Sequence, residues 1–120
     1  MKLADVIRNA DNIVIDNSFV RQIESVYFCK LPIFVTHILC IPENEFNYDE
    51  QVILRKLSND MILEATIELK SDFISNHLLP LFDCGDNDYL CYDYSKGLWC
   101  MYNIVDDTAF NKHAEIIDLL

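Results

Sequence analysis

The 120-residue chain contains very little glycine, with Gly85 and Gly97 as its only two. Phosphate-binding loops and dinucleotide-binding fingerprints need several closely spaced glycines, because the backbone must approach a phosphate closely. Neither kind of nucleotide site is therefore possible here. The chain also lacks a G-x-S-x-G segment, which would present a serine nucleophile on a strained turn. These absences predict a protein that is not an enzyme and uses no cofactor.

Basic residues are scarce as well, with nine lysines and arginines against twenty acidic residues and a net charge of −11. A surface of that charge repels nucleic acids and anionic lipids, so we expect no direct binding to DNA, RNA or membranes. The same field speeds the encounter with a cationic protein. Simple solubility is the alternative explanation of the charge.

No apolar run approaches the roughly 20 residues that a membrane-spanning helix needs. The acidic Asp5 follows the first methionine too closely for the apolar stretch of a signal peptide. The cysteines are odd in number and include no C-x-x-C pair, which favours reduced thiols in the core over a metal or redox site. They are Cys29, Cys40, Cys84, Cys91 and Cys100. Together these features predict a cytoplasmic protein.

The residues that bind metals are poorly arranged for that purpose. The three histidines, His37, His77 and His113, are far apart and show no zinc-site spacing. The acidic segment from Asp83 to Asp88 offers oxygen ligands, but it lacks the ordered spacing and the distal glutamate of a calcium loop. An Asx-type turn, in which Asp and Asn side chains bond nearby backbone amides, explains this segment without a metal. We predict no metal, and a cation-dependent binder or hydrolase is the third possibility.

The first third of the chain carries helical patterns. Apolar residues lie three and four apart in 3–10 and 19–27, which predicts two short helices, the second capped by Asn17 or Ser18. Pro32 suits a first helical turn and predicts a third helix that ends before Pro42, although the same run also fits a strand. The side chains expected on its buried face are those of Ile33, Phe34, Ile38 and Leu39.

The middle of the chain predicts a turn, a strand and the clearest helix. Residues 42–50 are polar and 51–57 alternate as a strand does. Ser58 then caps a helix whose apolar stripe should lie across a sheet and which should end around Asp72 to Ser75. That stripe contains Met61, Ile62, Ala65, Leu69 and Phe73.

Three strands are predicted next, at 78–82, 88–94 and 98 to about 104. Between them lie a tight acidic turn at 83–87 and a three-residue hairpin loop, Ser95-Lys96-Gly97, with Gly97 at positive φ. The whole chain, 1–120, is therefore expected to form one α+β domain with a mixed or largely antiparallel sheet packed against helices.

The hairpin loop fixes which side chains share a face of this sheet. If Tyr94 opposes Leu98, then Tyr92 opposes Cys100 and Leu90 opposes Tyr102, and these six residues form an apolar side that faces the helices. The reverse side is aromatic and polar, which we interpret as an interaction surface, although Trp99 would equally suit a position under a loop. That side carries Tyr89, Cys91, Asp93, Trp99, Met101 and Asn103.

Part of this region resembles a known family. The segment from Leu79 to Tyr94 (Leu-Pro-Leu-Phe-Asp-Cys-Gly-Asp-Asn-Asp-Tyr-Leu-Cys-Tyr-Asp-Tyr), followed by Gly97-Leu98-Trp99 and Tyr102-Asn103-Ile104-Val105-Asp106, resembles the SUKH superfamily. That family includes fungal cell-wall-assembly regulators and bacterial immunity proteins. Leu31-Pro32 and Leu57-Ser58 are similar to other family landmarks. The Asn-Gly-Gly turn of many members is replaced here by Ile41-Pro42-Glu43-Asn44.

The resemblance implies a SUKH-like protein-binding scaffold. We expect a monomer or a weak homodimer, since an exposed Trp99 side of the sheet could bind a partner or a second copy. Bacterial members imply an immunity protein that neutralises a cognate toxin of the nuclease or deaminase type, and the acidic charge of this chain suggests that the toxin is basic. Fungal members imply the alternative, an intracellular regulatory adaptor. The residues predicted to bind the partner are Asp83, Asp86, Asp88, Tyr89, Asp93, Trp99 and Met101.

Overall fold

Helices come first along the chain and most of the sheet comes last. The structure, a computed structural model, describes residues 2–43 and 53–120. Within them lie the helices α1 (Leu3–Arg8), α2 (Asn17–Tyr27), α3 (Ile33–Leu39), α4 (Asn59–Leu63) and α5 (Ala65–Glu68), the strands β1 (Arg55–Lys56), β2 (Leu78–Gly85), β3 (Asp88–Asp93), β4 (Leu98–Asn103) and β5 (Thr108–His113), and 3₁₀ turns at Ala10–Asn12 and Ile116–Leu119. Among these helices, none has both the length and the apolar character to cross a bilayer.

Helix α2 confirms the predicted helix but not its predicted cap. Its first free amides are satisfied by Asp16, whose Oδ1 accepts a hydrogen bond from the Phe19 backbone N at 3.1 Å. The capping residue thus precedes Asn17 and Ser18 by one or two positions, because an N-cap side chain reaches the amide three residues ahead. The helix ends at Tyr27, and Phe28 turns the chain in the left-handed conformation at φ 55° and ψ 48°.

Helix α3 confirms the helical prediction for the segment after Pro32, and the strand alternative is wrong. Its buried residues include Ile38 and Leu39, as predicted. Ile33 and Phe34 were also expected to be buried, but their side chains are 69% and 38% exposed. The inward arc of the helix contains Val35, Thr36, Ile38 and Leu39. Ile33 and Phe34 lie outside that arc.

Ser58 caps a helix as predicted, since its Oγ accepts a hydrogen bond from the Met61 N at 3.1 Å. The helix is nevertheless interrupted at Glu64, with φ −113° and ψ 20°, and α5 ends at Glu68, well before the predicted end. The chain then turns through Lys70 at φ 52°. This turn lets Phe73 pack into the sheet, where its ring contacts two strand tyrosines.

The sheet has the strand order β1-β2-β3-β4-β5 with every neighbouring pair antiparallel, which confirms the α+β class. Two differences from the prediction stand out. The strand expected at 51–57 is observed only at Arg55–Lys56, and 44–52, including the start of that strand and most of the expected polar turn, lie outside the described residues. Strand β5 was not predicted, because its sequence is mostly polar and shows no alternation.

The connections between strands also differ in length from the prediction. Strand β2 continues to Gly85, so the acidic turn shrinks to Asp86 and Asn87, at φ 53° and 66°. Two consecutive positive φ values are typical of a type I′ hairpin, which Asp and Asn tolerate. The next loop has four residues rather than three, since Asp93 pairs with Leu98, and Gly97 has the predicted positive φ, at 67°.

The longer loop moves the register of β3 and β4 by one residue. Tyr92 pairs with Trp99, whereas the prediction paired it with Cys100. Leu90 pairs with Met101, whereas the prediction paired it with Tyr102. Directly opposed residues in an antiparallel pair share a face, so Trp99 and Met101 change sides relative to the prediction.

Both faces of β3 and β4 are buried. On one face Trp99 is 3% exposed and contacts Phe34 of α3, with ring centroids 6.5 Å apart. On the other face the ring of Phe73 lies against Tyr89 at 6.3 Å and Tyr102 at 5.5 Å. Strands that are covered on both faces usually have continuous apolar sequences, and β3 and β4 have such sequences. The predicted aromatic surface on one side of the sheet is therefore wrong.

Candidate functional site

Two hairpin turns meet at one end of the sheet. The Asn103 side chain Nδ2 donates to Asp88 Oδ1 at 2.8 Å and to the Asp86 carbonyl at 3.3 Å, which joins the β4–β5 turn to the β2–β3 turn. Alternate turns of an antiparallel meander lie at the same end, so this proximity follows from the strand order. We call this region the acidic end and define it by five aspartates of the described residues, Asp83, Asp86, Asp88, Asp106 and Asp107.

Side chains hold both turns in place from within. Asp83 Oδ1 accepts a hydrogen bond from the Gly85 N at 2.9 Å, which confirms the predicted Asx-type turn. Asn103 Oδ1 accepts from the amides of Val105 and Asp106, at 3.0 and 2.9 Å. Gly85 has φ 83°, and a Cβ added there would lie only 3.2 Å from the Leu54 side chain. The positions of the carboxylates are thus fixed by the fold.

The five carboxylates differ in how strongly the protein already engages them. Asp83 forms an ion pair with Arg55 at 3.1 Å and its side chain is 16% exposed. Asp88 accepts the hydrogen bond from Asn103 and is half-buried. Asp86 and Asp106 are exposed, and no other described residue forms a hydrogen bond or ion pair with either carboxylate. Within the part of the chain that the structure describes, these two carboxylates therefore have no intramolecular partner.

Asp107 is anchored through a buried phenol. The Tyr102 hydroxyl donates to Asp107 Oδ1, and the Asn76 side chain donates to the same oxygen at 3.3 Å. Ser71 Oγ lies 3.0 Å from the Tyr102 hydroxyl. Burial raises the pKa of Tyr102, and the bond to Asp107 raises it further, so the phenol stays protonated and keeps donating. The network ties the β4–β5 turn to the segment before β2.

Two apolar side chains stand among the carboxylates. Val105, in the β4–β5 turn, is 71% exposed, and Leu54, just before β1, is 58% exposed. Leu54 is held beside the β2–β3 turn by a hydrogen bond from its backbone N to the Asp83 carbonyl at 2.7 Å. A partner that covered these two side chains would remove their apolar surface from water, which is favourable.

Only part of the predicted site lies here. Asp83, Asp86 and Asp88 belong to the acidic end, whereas Asp93 lies at the other end of β3. There its Oδ1 accepts hydrogen bonds from the Ser95 and Lys96 amides and shapes the β3–β4 loop. The remaining three predicted residues are buried, with exposures of 7%, 3% and 5% for Tyr89, Trp99 and Met101, so they cannot contact a partner.

Sequence reasoning missed four residues of the site, namely Asp106, Asp107, Leu54 and Val105. They were missed because strand β5 was not predicted. The β4–β5 turn forms only because the chain reverses after Asn103 and β5 pairs with β4. A signal was present in the sequence. Asp106-Asp107 follows Asn103 in the same way that Asp86-Asn87 follows Asp83, with an Asx residue preceding each turn.

The helical side of the fold contains a separate groove. A groove of about 470 Å³ on the helical side is lined by Asp16, Cys40 and Ser58 among others. Burial raises the pKa of the Cys40 thiol, and a protonated thiol is a poor nucleophile. Across residues 2–43 and 53–120, no three or more His, Cys, Asp or Glu side chains are grouped to hold a metal ion.

No protein-family model, curated protein or solved structure matches this chain.

Proposed function

We propose that this protein is a non-catalytic binding module whose acidic end docks a cationic protein. The observation that carries the proposal is the pair of exposed, unengaged carboxylates on adjacent turns, those of Asp86 and Asp106. Val105 precedes Asp106 in the β4–β5 turn, and its exposed side chain would be covered by the same partner.

The physical case has three parts. A carboxylate without an intramolecular partner gains a salt bridge on binding without breaking one. The turns are held by their own side-chain hydrogen bonds, so little conformational entropy is lost when they dock. The net charge of −11 accelerates the approach of any cationic protein and penalises acidic competitors.

The partner we infer is a basic toxin of the nuclease or deaminase type, neutralised in the cytoplasm of the cell that makes this protein. A nuclease needs a cationic surface to hold phosphates, and an acidic protein can occupy that surface instead. The inference of an immunity role rests on the resemblance of residues 79–106 to the SUKH superfamily. The acidic end lies largely within those residues, which supports the connection.

The test uses the protein encoded directly upstream of this gene as the probe. We expect the wild-type chain to form a complex with it, and either Asp86→Lys or Asp106→Lys to weaken the complex by about tenfold or more, since each replaces an attraction with a repulsion. Asp11→Lys is the matched control, because Asp11 is exposed, carries the same charge and lies outside the acidic end. It should change the dissociation constant by no more than about twofold.

Isothermal titration calorimetry at two salt concentrations measures these effects. Raising the salt should weaken the wild-type complex, because exposed charge pairs are screened. Equal losses in all three variants would show that only net charge matters and would refute a role for the acidic end. The absence of any complex with the upstream protein would refute the immunity role.

A further inference from the structure

Two connections of the sheet share one backbone arrangement. The β3–β4 loop, 94–97, and the β4–β5 turn, 104–107, each contain four residues. The residue before each connection caps it with a side-chain oxygen. Asp93 Oδ1 accepts hydrogen bonds from the amides two and three residues ahead, and Asn103 Oδ1 accepts from the amides at the same two positions of its own turn. The two connections can therefore be compared position by position.

The two connections differ at their last residue. That residue is Gly97 in the β3–β4 loop and Asp107 in the β4–β5 turn, and both have left-handed backbones, with φ 67° and 50°. Glycine adopts this conformation freely, whereas aspartate adopts it less readily. A residue with a side chain at such a position points to a role for that side chain.

The side chain of Asp107 is bound to the body of the domain. Its Oδ1 accepts hydrogen bonds from the Tyr102 hydroxyl and from Asn76 Nδ2, the latter at 3.3 Å. The Tyr102 oxygen in turn accepts from Asn76 Nδ2 at 3.4 Å and lies 3.0 Å from Ser71 Oγ. Tyr102 is 2% exposed, so this network connects the last residue of the turn to the core.

The neighbouring Asp106 is in the opposite situation. Its backbone amide is bound by Asn103, but its exposed carboxylate has no partner among the described residues. Consecutive Cα atoms are about 3.8 Å apart, so the bonds made by Asp107 limit where the Asp106 carboxylate can lie. One aspartate of the turn is thus held by the protein while the next is left for a partner.

We propose that Tyr102 and Asp107 are positioning residues of the acidic end. Their hydrogen bond holds the β4–β5 turn so that Asp106 is presented to the cationic partner, and Asp107 itself does not contact that partner. This inference rests on the proposed function. A turn that is ordered before binding loses less conformational entropy when it docks, so the complex is tighter than one formed by a loose turn.

The first measurement needs no partner. Solvent exchange of the Val105 and Asp106 amides, followed by nuclear magnetic resonance, should be at least about threefold faster in Tyr102→Phe than in the wild type, because the turn opens locally. Tyr27→Phe is the matched control. It removes the same atom from an equally buried ring, whose hydroxyl donates to the Ile62 carbonyl at 2.7 Å, away from the turn. It should change these exchange rates by less than about 1.5-fold, since exposed turn amides exchange through local opening rather than global unfolding.

The second measurement is calorimetry with the protein encoded directly upstream. Tyr102→Phe should weaken the complex by about threefold to tenfold, and Tyr27→Phe by no more than about 1.5-fold. In an Asp106→Asn background, Tyr102→Phe should have little further effect, because the carboxylate that it positions is already gone.

Asp107 is exposed, so its own substitutions must separate positioning from contact. Asp107→Asn removes the charge but keeps an acceptor oxygen for Tyr102 and suits the left-handed backbone, so it should weaken the complex by no more than about twofold. Asp107→Gly suits the backbone as Gly97 does but deletes the acceptor, so it should weaken the complex by about threefold to tenfold. Both variants lose the same charge, and the difference between them reports the hydrogen bond.

Two results would overturn the proposal. Equal losses in Asp107→Asn and Asp107→Gly would make Asp107 a charged contact of the partner. Unchanged amide exchange in Tyr102→Phe would show that the hydrogen bond does not hold the turn, even if the complex forms. Faster exchange in that variant without any complex would refute the proposed function and would still assign to Tyr102 and Asp107 the positioning of the turn.

Discussion

The interior of the sheet and its two ends contain similar residue types, yet they use them differently. In the interior, Trp99 and Tyr102 are buried at 3% and 2% exposure. At the ends, Val105 and Phe28 are 71% and 86% exposed. Large apolar side chains in strands covered on both faces serve packing, whereas those on connections are available to partners.

The two ends also differ from each other. The acidic end is made of carboxylates with two apolar side chains among them, whereas Phe28 lies in a segment, 25–42, without acidic residues. Charge is therefore distributed unequally between the two ends, and substitutions in the interior and at each end should have separable effects.

The largest expected effect is in the interior. Trp99→Ala should lower the free energy of unfolding by about 3–5 kcal/mol, because it removes a buried indole and leaves a cavity. The ring contacts Tyr92, with centroids 5.0 Å apart, and Phe34. Urea denaturation followed by far-ultraviolet circular dichroism measures this loss, since the variant has no tryptophan to follow by fluorescence.

Val105→Ala is the control for the same comparison. Its exposed side chain lies in a turn at the acidic end, so stability should change by about 0.5 kcal/mol or less. If Trp99→Ala cost no more than this control, Trp99 would belong to the surface, and the comparison between interior and ends would fail.

Adjacent cations on β1 give a second, smaller effect. Arg55 is exposed and pairs with Asp83, whereas Lys56 is 2% exposed and its Nζ donates to the Leu39 carbonyl at 3.0 Å. Burial lowers the pKa of Lys56 from 10.5 to about 8, although the nearby Cys40 and Glu43 raise it in part. Between pH 8 and pH 10.5 the folded state therefore binds fewer protons than the unfolded state. The free-energy cost of burying charged Lys56 falls as pH rises, so the protein becomes more stable.

The measurement compares wild type with Lys56→Met by urea denaturation at pH 7 and pH 9. The free energy of unfolding of the wild type should gain about 1 kcal/mol relative to the variant over this range. The variant is needed because burial raises the pKa of thiols such as Cys29 and Cys100 to about 11, which lowers the stability of both proteins as pH rises above their unfolded value of 9. A constant difference between the two proteins would contradict a charged, buried Lys56 at neutral pH.

Local patterns predicted much of the fold. The helices α2 and α3, the Ser58 cap, the three central strands and the positive φ of Gly97 are confirmed, because each depends on residues within a few positions. What failed depended on distant contacts. The interruption at Glu64 lets Phe73 reach the sheet, and one additional loop residue moved Trp99 to the opposite face.

The site was predictable only in part, for the same reason. The β2–β3 turn is local, so Asp83, Asp86 and Asp88 could be identified as a turn of carboxylates. Asp106 joins them only because β5 returns beside β4, and β5 is an edge strand with no apolar periodicity. Aromatic residues at strand positions suggested a surface, but the helices and the segment around Phe73 cover both faces.

The smallest expected effect tests whether the left-handed backbone at the end of α2 is strained. Phe28→Asn should raise the free energy of unfolding by about 0.5 kcal/mol, because asparagine accepts the left-handed conformation more readily than phenylalanine. Urea denaturation measures the gain. The exposed ring contributes little to the core, so its removal should cost little.

Phe28→Ala separates the ring from the backbone. It also removes the aromatic side chain, but alanine lacks the short polar side chain with which asparagine forms local hydrogen bonds in the left-handed conformation, so it should not gain the stability of Phe28→Asn. If both variants were less stable than the wild type, Phe28 would be packing against its own chain. If Phe28→Asn alone is more stable, phenylalanine strains the left-handed turn that ends α2.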